Sequence, residues 1–216
     1  MNFEDFIRSI MSCQEYQKAL NNPKHPCYDV VHTYDFHFLC EPFRIRDFSR
    51  INHVKVMFLG LSPGNPELKH KPYTPTKDVL LEDVIKYIQK PILKGYDTNF
   101  KKTMIERIGN ELEYVKANVV HGIGDKRSAM KCLETCGDKF LYDMIGLFGE
   151  LKYVIVYDFN DRRVLNYVNK KLNISLGFQN YNAAKGISRN GITFIAAPRT
   201  RRYIRKLSKA QLHVTS

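Results

Sequence analysis

The sequence predicts an α/β protein whose mostly parallel central sheet is covered by helices on both faces, as a three-layer α/β/α sandwich. Apolar strand-like segments alternate with amphipathic helical segments, and parallel strands need crossover helices of this kind. The first two core strands run directly into loops that contain glycine, which is where ligands bind in such sheets. With 216 residues, 44% hydrophobic and 26% charged, the chain suits a single domain.

The N-terminal segment predicts one helix. Apolar residues from Phe3 to Met11 recur at helical spacing after Asn2, which is a suitable N-cap, and we expect the helix to continue to about Leu20. Residues 23–53 show no assignable pattern. We therefore divide the domain into an N-terminal helix with an irregular extension, residues 1–53, and an α/β core, residues 54–216.

The core begins with a buried strand at Val54–Leu59, which enters the turn Gly60-Leu61-Ser62-Pro63-Gly64. Beyond this turn, the pattern predicts helices at 78–90, 98–112, 128–148 with Ser128 as the cap, 161–172 and 203–212, and strands at 114–120, 152–157 and 192–196. Loops 60–67, 118–125 and 197–202 follow strands. These three loops are the predicted ligand site, because ligands bind beyond the carboxyl ends of parallel strands.

The charge of the chain is concentrated at its C-terminal end. The net charge is +12, and none of the 22 acidic residues follows Asp161, whereas 12 of the 34 basic residues do. A field of one sign on one part of a folded domain favours a polyanionic partner, with nucleic acid preferred over an anionic membrane. A solvated face that only maintains solubility is the alternative.

The cysteine count and the N-terminus bear on the compartment. Five cysteines at irregular spacing favour reduced thiols over a disulfide framework. No window holds eighteen consecutive apolar residues, and Met1–Asp5 is acidic with no apolar run behind it. We expect a cytoplasmic protein without a membrane partner; protein partners are left open.

Four segments, in this order along the chain, resemble the uracil-DNA glycosylase superfamily over about Val54 to Arg205, with closest similarity to its thermophile-type and mispaired-uracil branches. They are GLSPGNPE at 60–67, Lys71-Pro72-Tyr73, Ala117-Asn118-Val119-Val120, and the stretch from Cys136-Gly137-Asp138-Lys139-Phe140-Leu141 to the strand at 153–156. A single G-x-x-P-G has many false positives, but four segments in the right order on the right elements are more specific.

The resemblance implies a base-flipping enzyme that breaks an N-glycosidic bond in DNA. It places Gly60, Leu61, Pro63, Gly64, Tyr73, Asn118, His121 and Ala197 around the base, with Tyr73 stacking on its face and Asn118 reading its edge. It also implies that the basic end clamps the phosphates through Arg199, Arg201 and Arg202, and that Tyr203 enters the duplex in place of the flipped base. Arg205 and Lys206 are further expected DNA-binding residues.

Two positions depart from the family pattern. Many active relatives carry Asp or Asn where this chain has Ser62, and most carry His or Asn where it has Ala197. One interpretation keeps catalysis, with Glu67 as the carboxylate, Ser62 and Asn118 assisting, and Arg199 facing the leaving base. The small residues Ser62, Ala196 and Ala197 would then admit a modified pyrimidine larger than uracil. The other interpretations are a catalytically silent DNA-binding or protein-binding module and an unrelated nucleotide-binding α/β protein.

Thermophile-type relatives hold a four-iron cluster with four cysteines. Only Cys13 and Cys136 match those positions, while Tyr16 and Gly122 stand at the other two. Because such a cluster needs four ligands, we expect no cofactor and no metal unless Cys27, Cys40 or Cys132 supply the missing ligands. The preferred interpretation has the thiols acting as small apolar side chains.

Simpler roles are open for the same residues. Tyr73 and Tyr203 can be packed aromatics, and Asn118 can bond neighbouring backbone. Glu67 can be a solvated loop charge, and a lone histidine such as His121 is more often structural than catalytic.

Overall fold

A computed structural model describes residues 1–32, 42–45, 48–61, 81–89, 113–122, 126–158, 162–176, 188–189 and 191–198. Helices in these residues are α1 (Phe3–Met11), α2 (Gln14–Leu20), α3 (Tyr28–His32), α4 (Leu81–Gln89), α5 (Lys126–Gly146) and α6 (Arg162–Leu172). The strands are β1 (Phe43–Ile45), β2 (Val54–Gly60), β3 (Glu113–Asn118), β4 (Tyr153–Asp158), β5 (Ser188–Arg189) and β6 (Ile192–Pro198). A 3₁₀ helix, Phe48–His53, leads into β2.

The strands form one sheet in the order β1-β3-β2-β4-β6-β5. β4 runs parallel to both β2 and β6, with Phe58 beside Ile155 and Ile155 beside Ile195. β5 is an antiparallel edge strand on β6. Gly191, between β5 and β6, has a φ of 76°, a left-handed conformation that favours glycine. The protein is therefore a mixed α/β protein with a mostly parallel sheet, which confirms the predicted class.

The chain divides into two units. One contains α1 to α5 and the residues that follow β3, with α1 packed against α4 and α5, and α3 packed against α2 and α5. Phe6 of α1 lies fully buried there, with its ring 6.5 Å from that of Phe43 and 6.3 Å from that of Phe140. Burial of one such aromatic side chain stabilises the fold by roughly 1.5–3 kcal/mol.

The other unit contains β2, β4, β5, β6 and α6. Met57, Phe58 and Leu59 of β2 are fully buried, as expected for a central strand covered on both faces. The helix α6 packs against β4, and its buried residues Val164, Leu165 and Val168 recur at intervals of three and four. The apolar periodicity of this segment therefore predicts its buried face correctly.

Several element predictions are confirmed. β2, β4, β6, α4 and α6 lie within a few residues of their predicted bounds, and the Asn2 side chain caps α1 by accepting from the Asp5 N–H at 2.8 Å. The predicted helices at 98–112 and 203–212 lie outside the described residues.

Four element predictions are wrong. The expected helix to Leu20 is two helices, α1 and α2, separated at Ser12 and Cys13. Residues 23–53 contain α3, β1 and the 3₁₀ helix rather than irregular chain alone. Ser128 does not cap α5, since that helix already begins at Lys126 and Ser128 is buried within it. The strand predicted to reach Val120 ends at Asn118.

Candidate functional site

The predicted site residues fall into two groups. Gly60, Leu61, Asn118, His121 and the backbone of Ala197 are described. Those outside the described residues are Ser62, Pro63, Gly64, Glu67, Tyr73, Arg199, Arg201, Arg202, Tyr203, Arg205 and Lys206. The geometry therefore concerns the carboxyl ends of the strands from which these loops begin.

The first two predicted loops begin side by side. The N–H of Val120, just after β3, donates to the carbonyl of Leu61, just after β2, at 2.8 Å. The N–H of Asn118, the last residue of β3, donates to the carbonyl of Pro42 at 2.9 Å. Asn118 is fully buried, so its side-chain amide is shielded from solvent.

Gly60 ends β2 under the side chain of Tyr157. A Cβ built on Gly60 would lie 3.1 Å from the Tyr157 hydroxyl oxygen and 3.2 Å from the ring carbon that carries it. Tyr157 stands near the end of β4 and is paired in register with Ala197 of β6. The absence of a side chain at Gly60 therefore lets a phenol approach the end of β2, where such sheets bind ligands.

Tyr157 is a polar residue that the sequence analysis does not single out. Its segment, Tyr153–Asp158, has the composition of an ordinary buried strand, and the residue is only 9% exposed. The signal that could have identified it is its place one residue before the end of a strand, next to the glycine that ends β2.

His121 lies in an apolar setting. It is 2% exposed, with its ring centroid 5.8 Å from that of Phe6 and 5.2 Å from that of Phe140. Neither ring nitrogen has a hydrogen-bond partner among the described residues. Burial lowers the pKa of His121 from 6.5 to about 3, so the ring is neutral at neutral pH.

Two cysteine side chains of α5 have shifted pKa values. The neighbouring thiols of Cys136 and Cys27, together with burial, raise the pKa of Cys132. The pKa of Cys136 is lowered, chiefly by its hydrogen bond with Cys132 and further by the backbone N–H of His121, 3.4 Å from its sulfur, and by the Lys139 charge. The sequence pattern predicts these thiols to be separate apolar side chains. The four-residue spacing of Cys132 and Cys136, which puts both on one helix face, was the available signal.

Gly122 and Tyr16 stand at two of the four cluster-ligand positions of the thermophile-type relatives and supply no thiolate there. A Cβ at Gly122 would lie 2.3 Å from Cγ1 of Val30, so a cysteine side chain has no room there. Tyr16 fills the other non-matching position, and burial raises the pKa of its hydroxyl to about 12. Within the described ranges no group of three or more His, Cys, Asp or Glu is arranged to hold a metal ion. The absence of any cofactor stays a prediction, since some cysteine and histidine positions lie outside those ranges.

Two helices begin with pairs of exposed basic residues. Lys126 and Arg127 open α5, Arg162 and Arg163 open α6, and neither first turn contains an acidic residue. The N-terminal end of a helix is already positive, so these side chains add to the helix dipole instead of compensating it. A positive potential of this kind favours anionic ligands.

No helix within the described ranges has the length and apolar character needed to cross a bilayer. Comparison with known proteins adds no relative, because no family model and no curated protein matches the chain.

Proposed function

We propose that this protein is a monofunctional DNA glycosylase, which flips a uracil or modified pyrimidine out of DNA and hydrolyses its N-glycosidic bond to leave an abasic site. The proposal includes the finer architecture, which is a three-layer α/β/α sandwich of the uracil-DNA glycosylase type. The observation that carries the proposal is Asn118. This residue ends β3 at the position of the base-reading asparagine in the family pattern, on a backbone that is hydrogen-bonded to Pro42.

The ends of β2 and β3 support this proposal. Because the Val120 N–H donates to the Leu61 carbonyl, the loop that begins at Leu61 starts beside the asparagine that would read the base. An amide carries both a donor and an acceptor, which is what recognition of a pyrimidine edge requires. In the proposal, Tyr73 stacks on the base and backbone N–H groups of the first loop bind one of its carbonyl oxygens.

The catalytic groups belong to the loop after Leu61. Glu67 is the carboxylate that positions the attacking water and stabilises the oxocarbenium-like sugar, with Ser62 as a hydrogen-bonding partner of that water. Arg199 directly follows the end of β6 at Pro198 and balances the charge that develops on the departing base. His121 is neutral and apolar in its surroundings, so no proton transfer is assigned to it.

A modified pyrimidine is the substrate that the small side chains favour. Ala196 is fully buried two residues before the end of β6, next to Ala197, which occupies the position of a larger polar residue in most relatives. Because that larger polar side chain is absent, and because Ser62 in the first loop is also small, the proposed pocket has room for a substituent on the base. Modified pyrimidines occur in some viral genomes, so defence against viral DNA is the biological role that follows from this substrate.

The experiment compares base release from a matched set of duplexes. Identical oligonucleotides carry uracil, a mispaired thymine, hydroxymethylcytosine or glucosylated hydroxymethylcytosine at one position, and alkali converts abasic sites to strand breaks. We expect breaks with one of the modified bases, and loss of them in Asn118→Ala and Glu67→Gln. Release of plain uracil alone would reject the enlarged substrate but not the glycosylase.

Two controls separate a catalytic defect from general damage. Glu82→Gln makes the same chemical change on an exposed face of α4, and Asn166→Ala removes an exposed amide from α6. Both should retain wild-type base release. Asn118→Ala must also melt cooperatively, since Asn118 is fully buried. Binding to these duplexes without any strand breaks would instead identify a catalytically silent DNA-binding module.

A further inference from the structure

The carboxyl edge of the sheet places one large side chain between two small residues. Tyr157, one residue before the end of β4, is the Cα partner of Ala197 on β6. On the other side of β4 lies β2, whose last residue, Gly60, lies beneath the Tyr157 side chain. At this level of the three strands, the phenol of Tyr157 is therefore the largest side chain.

The Tyr157 hydroxyl occupies the space above Gly60. A Cβ built on this glycine would lie 3.1 Å from the hydroxyl oxygen, which is closer than ordinary van der Waals contact. Gly60 is itself buried, so the phenol and the end of β2 are packed together. Because a larger residue at this position would displace the hydroxyl, the glycine helps to fix where this polar group lies.

Aromatic packing holds the phenol ring in place. The Tyr157 ring meets the fully buried ring of Phe58 on β2 edge to face, with centroids 6.3 Å apart and planes at 71°. Tyr114 on β3 packs on Phe58 in the same manner, at 5.7 Å and 88°. Tyr157 is only 9% exposed. Its hydroxyl is therefore positioned by the neighbouring strands rather than by solvent.

The residues at this edge are polar or small, and they are uncharged. A phenol hydroxyl offers one donor and two acceptor positions, so it can bond to a ligand group while it also bonds to the protein. Gly60 and Ala197, on either side of Tyr157, carry no charge. Ligands of parallel sheets bind beyond the carboxyl ends of the strands. A neutral ligand group with a hydroxyl suits this edge better than a phosphate, which requires positive charge or several N–H donors.

We propose that Tyr157 is a specificity-determining residue, whose hydroxyl forms a hydrogen bond with a hydroxyl-bearing substituent on the flipped pyrimidine. The inference rests on the proposed glycosylase function and narrows its substrate class from modified pyrimidines to hydroxylated ones. Methylcytosine and hydroxymethylcytosine differ by a single hydroxyl, so they separate this role from a requirement for size alone. A site built around a hydroxyl partner disfavours the analogue that lacks it.

A purely structural phenol would give a different result. If the Tyr157 hydroxyl only supports the end of β4, its removal lowers stability and slows the release of every base by a similar factor. If the hydroxyl binds the substituent, its removal slows release of the hydroxylated base and leaves release of methylcytosine unchanged. The ratio of the two release rates therefore reports binding of the substituent, whereas overall activity does not.

Matched duplexes test the proposal on the full chain. Identical oligonucleotides carry methylcytosine, hydroxymethylcytosine or glucosylated hydroxymethylcytosine at one position. Strand breaks after alkali and binding by fluorescence anisotropy are both measured. We expect the wild type to favour a hydroxylated base over methylcytosine. In Tyr157→Phe this preference should fall by about three- to tenfold, the range for one hydrogen bond between uncharged groups.

Tyr153→Phe is the matched control. It removes the same hydroxyl from the same strand at the opposite end of β4, where Tyr153 is the Cα partner of Val56 and Thr193. The preference for a hydroxylated base should keep its wild-type value in this variant. Both variants should melt cooperatively, because each keeps its aromatic ring.

The outcomes separate this inference from the glycosylase itself. Strand breaks without a preference for a hydroxylated base, or with a preference that Tyr157→Phe leaves unchanged, overturn the role of Tyr157 and leave the glycosylase standing. If no duplex gives strand breaks, the glycosylase is rejected and binding decides. Tighter binding of a hydroxylated duplex that is lost in Tyr157→Phe then supports Tyr157 as a base-reading residue, and equal binding of the matched duplexes overturns that role as well.

Discussion

At the scale of single residues, the burial of His121 makes the free energy of unfolding depend on pH. Burial lowers the pKa of this histidine from 6.5 to about 3, so the unfolded chain takes up a proton near pH 6.5 whereas the folded protein does so only near pH 3. The stabilising contribution of the neutral ring is therefore complete above pH 6.5 and is lost as the pH falls from 6.5 toward 3.

This histidine gives the first prediction. Between pH 7.5 and pH 5, His121 should account for a loss of about 2 kcal/mol in the free energy of unfolding, at roughly 1.4 kcal/mol per pH unit below 6.5. His121→Leu should flatten the pH dependence by that amount in urea unfolding curves. An equal slope in His121→Leu and wild type would contradict the assignment.

Gly122 shows how a single missing side chain fixes the packing of the segment after β3. A Cβ at this position would lie 2.3 Å from Cγ1 of Val30, so Gly122→Ala should lower the free energy of unfolding by about 1–3 kcal/mol. In a Val30→Ala background, the next atom is Cβ of Val30 at 3.8 Å, and the same substitution should cost little. Gly149→Ala, with open space around it, is the control in thermal denaturation.

At the scale of elements, the sequence predicts the strands and helices of the core better than those of the N-terminal region. β2, β4 and α6 are identified by apolar runs or periodicity, because their burial is decided by their own residues. The break between α1 and α2 is not visible, since the helical pattern continues across it. It arises locally, where the Ser12 hydroxyl donates to the Arg8 carbonyl at 2.9 Å and Cys13 takes an extended conformation.

β1 is missed for a different reason. Phe43–Ile45 is too short to show alternation, and it becomes a strand by joining the edge of the sheet next to β3, a contact remote in sequence. The candidate site divides in the same way. Asn118 and Gly60 are found from their place at the ends of apolar strands, whereas the position of Tyr157 over Gly60 depends on which strands are neighbours in space.

The helix α6 gives an element-scale prediction in which stability and binding change in opposite directions. Arg162 is exposed in the first turn and adds to the positive end of the helix dipole, so Arg162→Glu should raise the free energy of unfolding by about 0.5–1 kcal/mol. In the last turn, Lys170→Glu should lower it by a similar amount. Thermal melts check both. If the positive start of α6 binds an anionic ligand, Arg162→Glu should also weaken DNA binding. A lower melting temperature in Arg162→Glu than in the wild type would contradict the dipole argument.

At the scale of the whole molecule, the charge distribution separates a balanced N-terminal part from a basic C-terminal part. No acidic residue follows Asp161, and β6 ends at Pro198, directly before the cluster Arg199, Arg201 and Arg202. These arginines follow the carboxyl end of β6, and parallel sheets bind their ligands at the carboxyl ends of their strands. In the proposed function, the positive end and the base-binding loops act on the same DNA.

Salt dependence of DNA binding measures this link. Each phosphate contact contributes a slope of about −0.9 to the logarithm of the binding constant against the logarithm of salt concentration. Replacing Arg199, Arg201 and Arg202 together by Gln should reduce the magnitude of the slope by roughly 2–3 in fluorescence anisotropy. Replacing the exposed residues Lys18, Lys24 and Lys86 by Gln removes the same charge elsewhere and should change the slope far less. Equal effects of the two triple variants would mean that net charge alone, and not an arginine cluster after β6, governs binding.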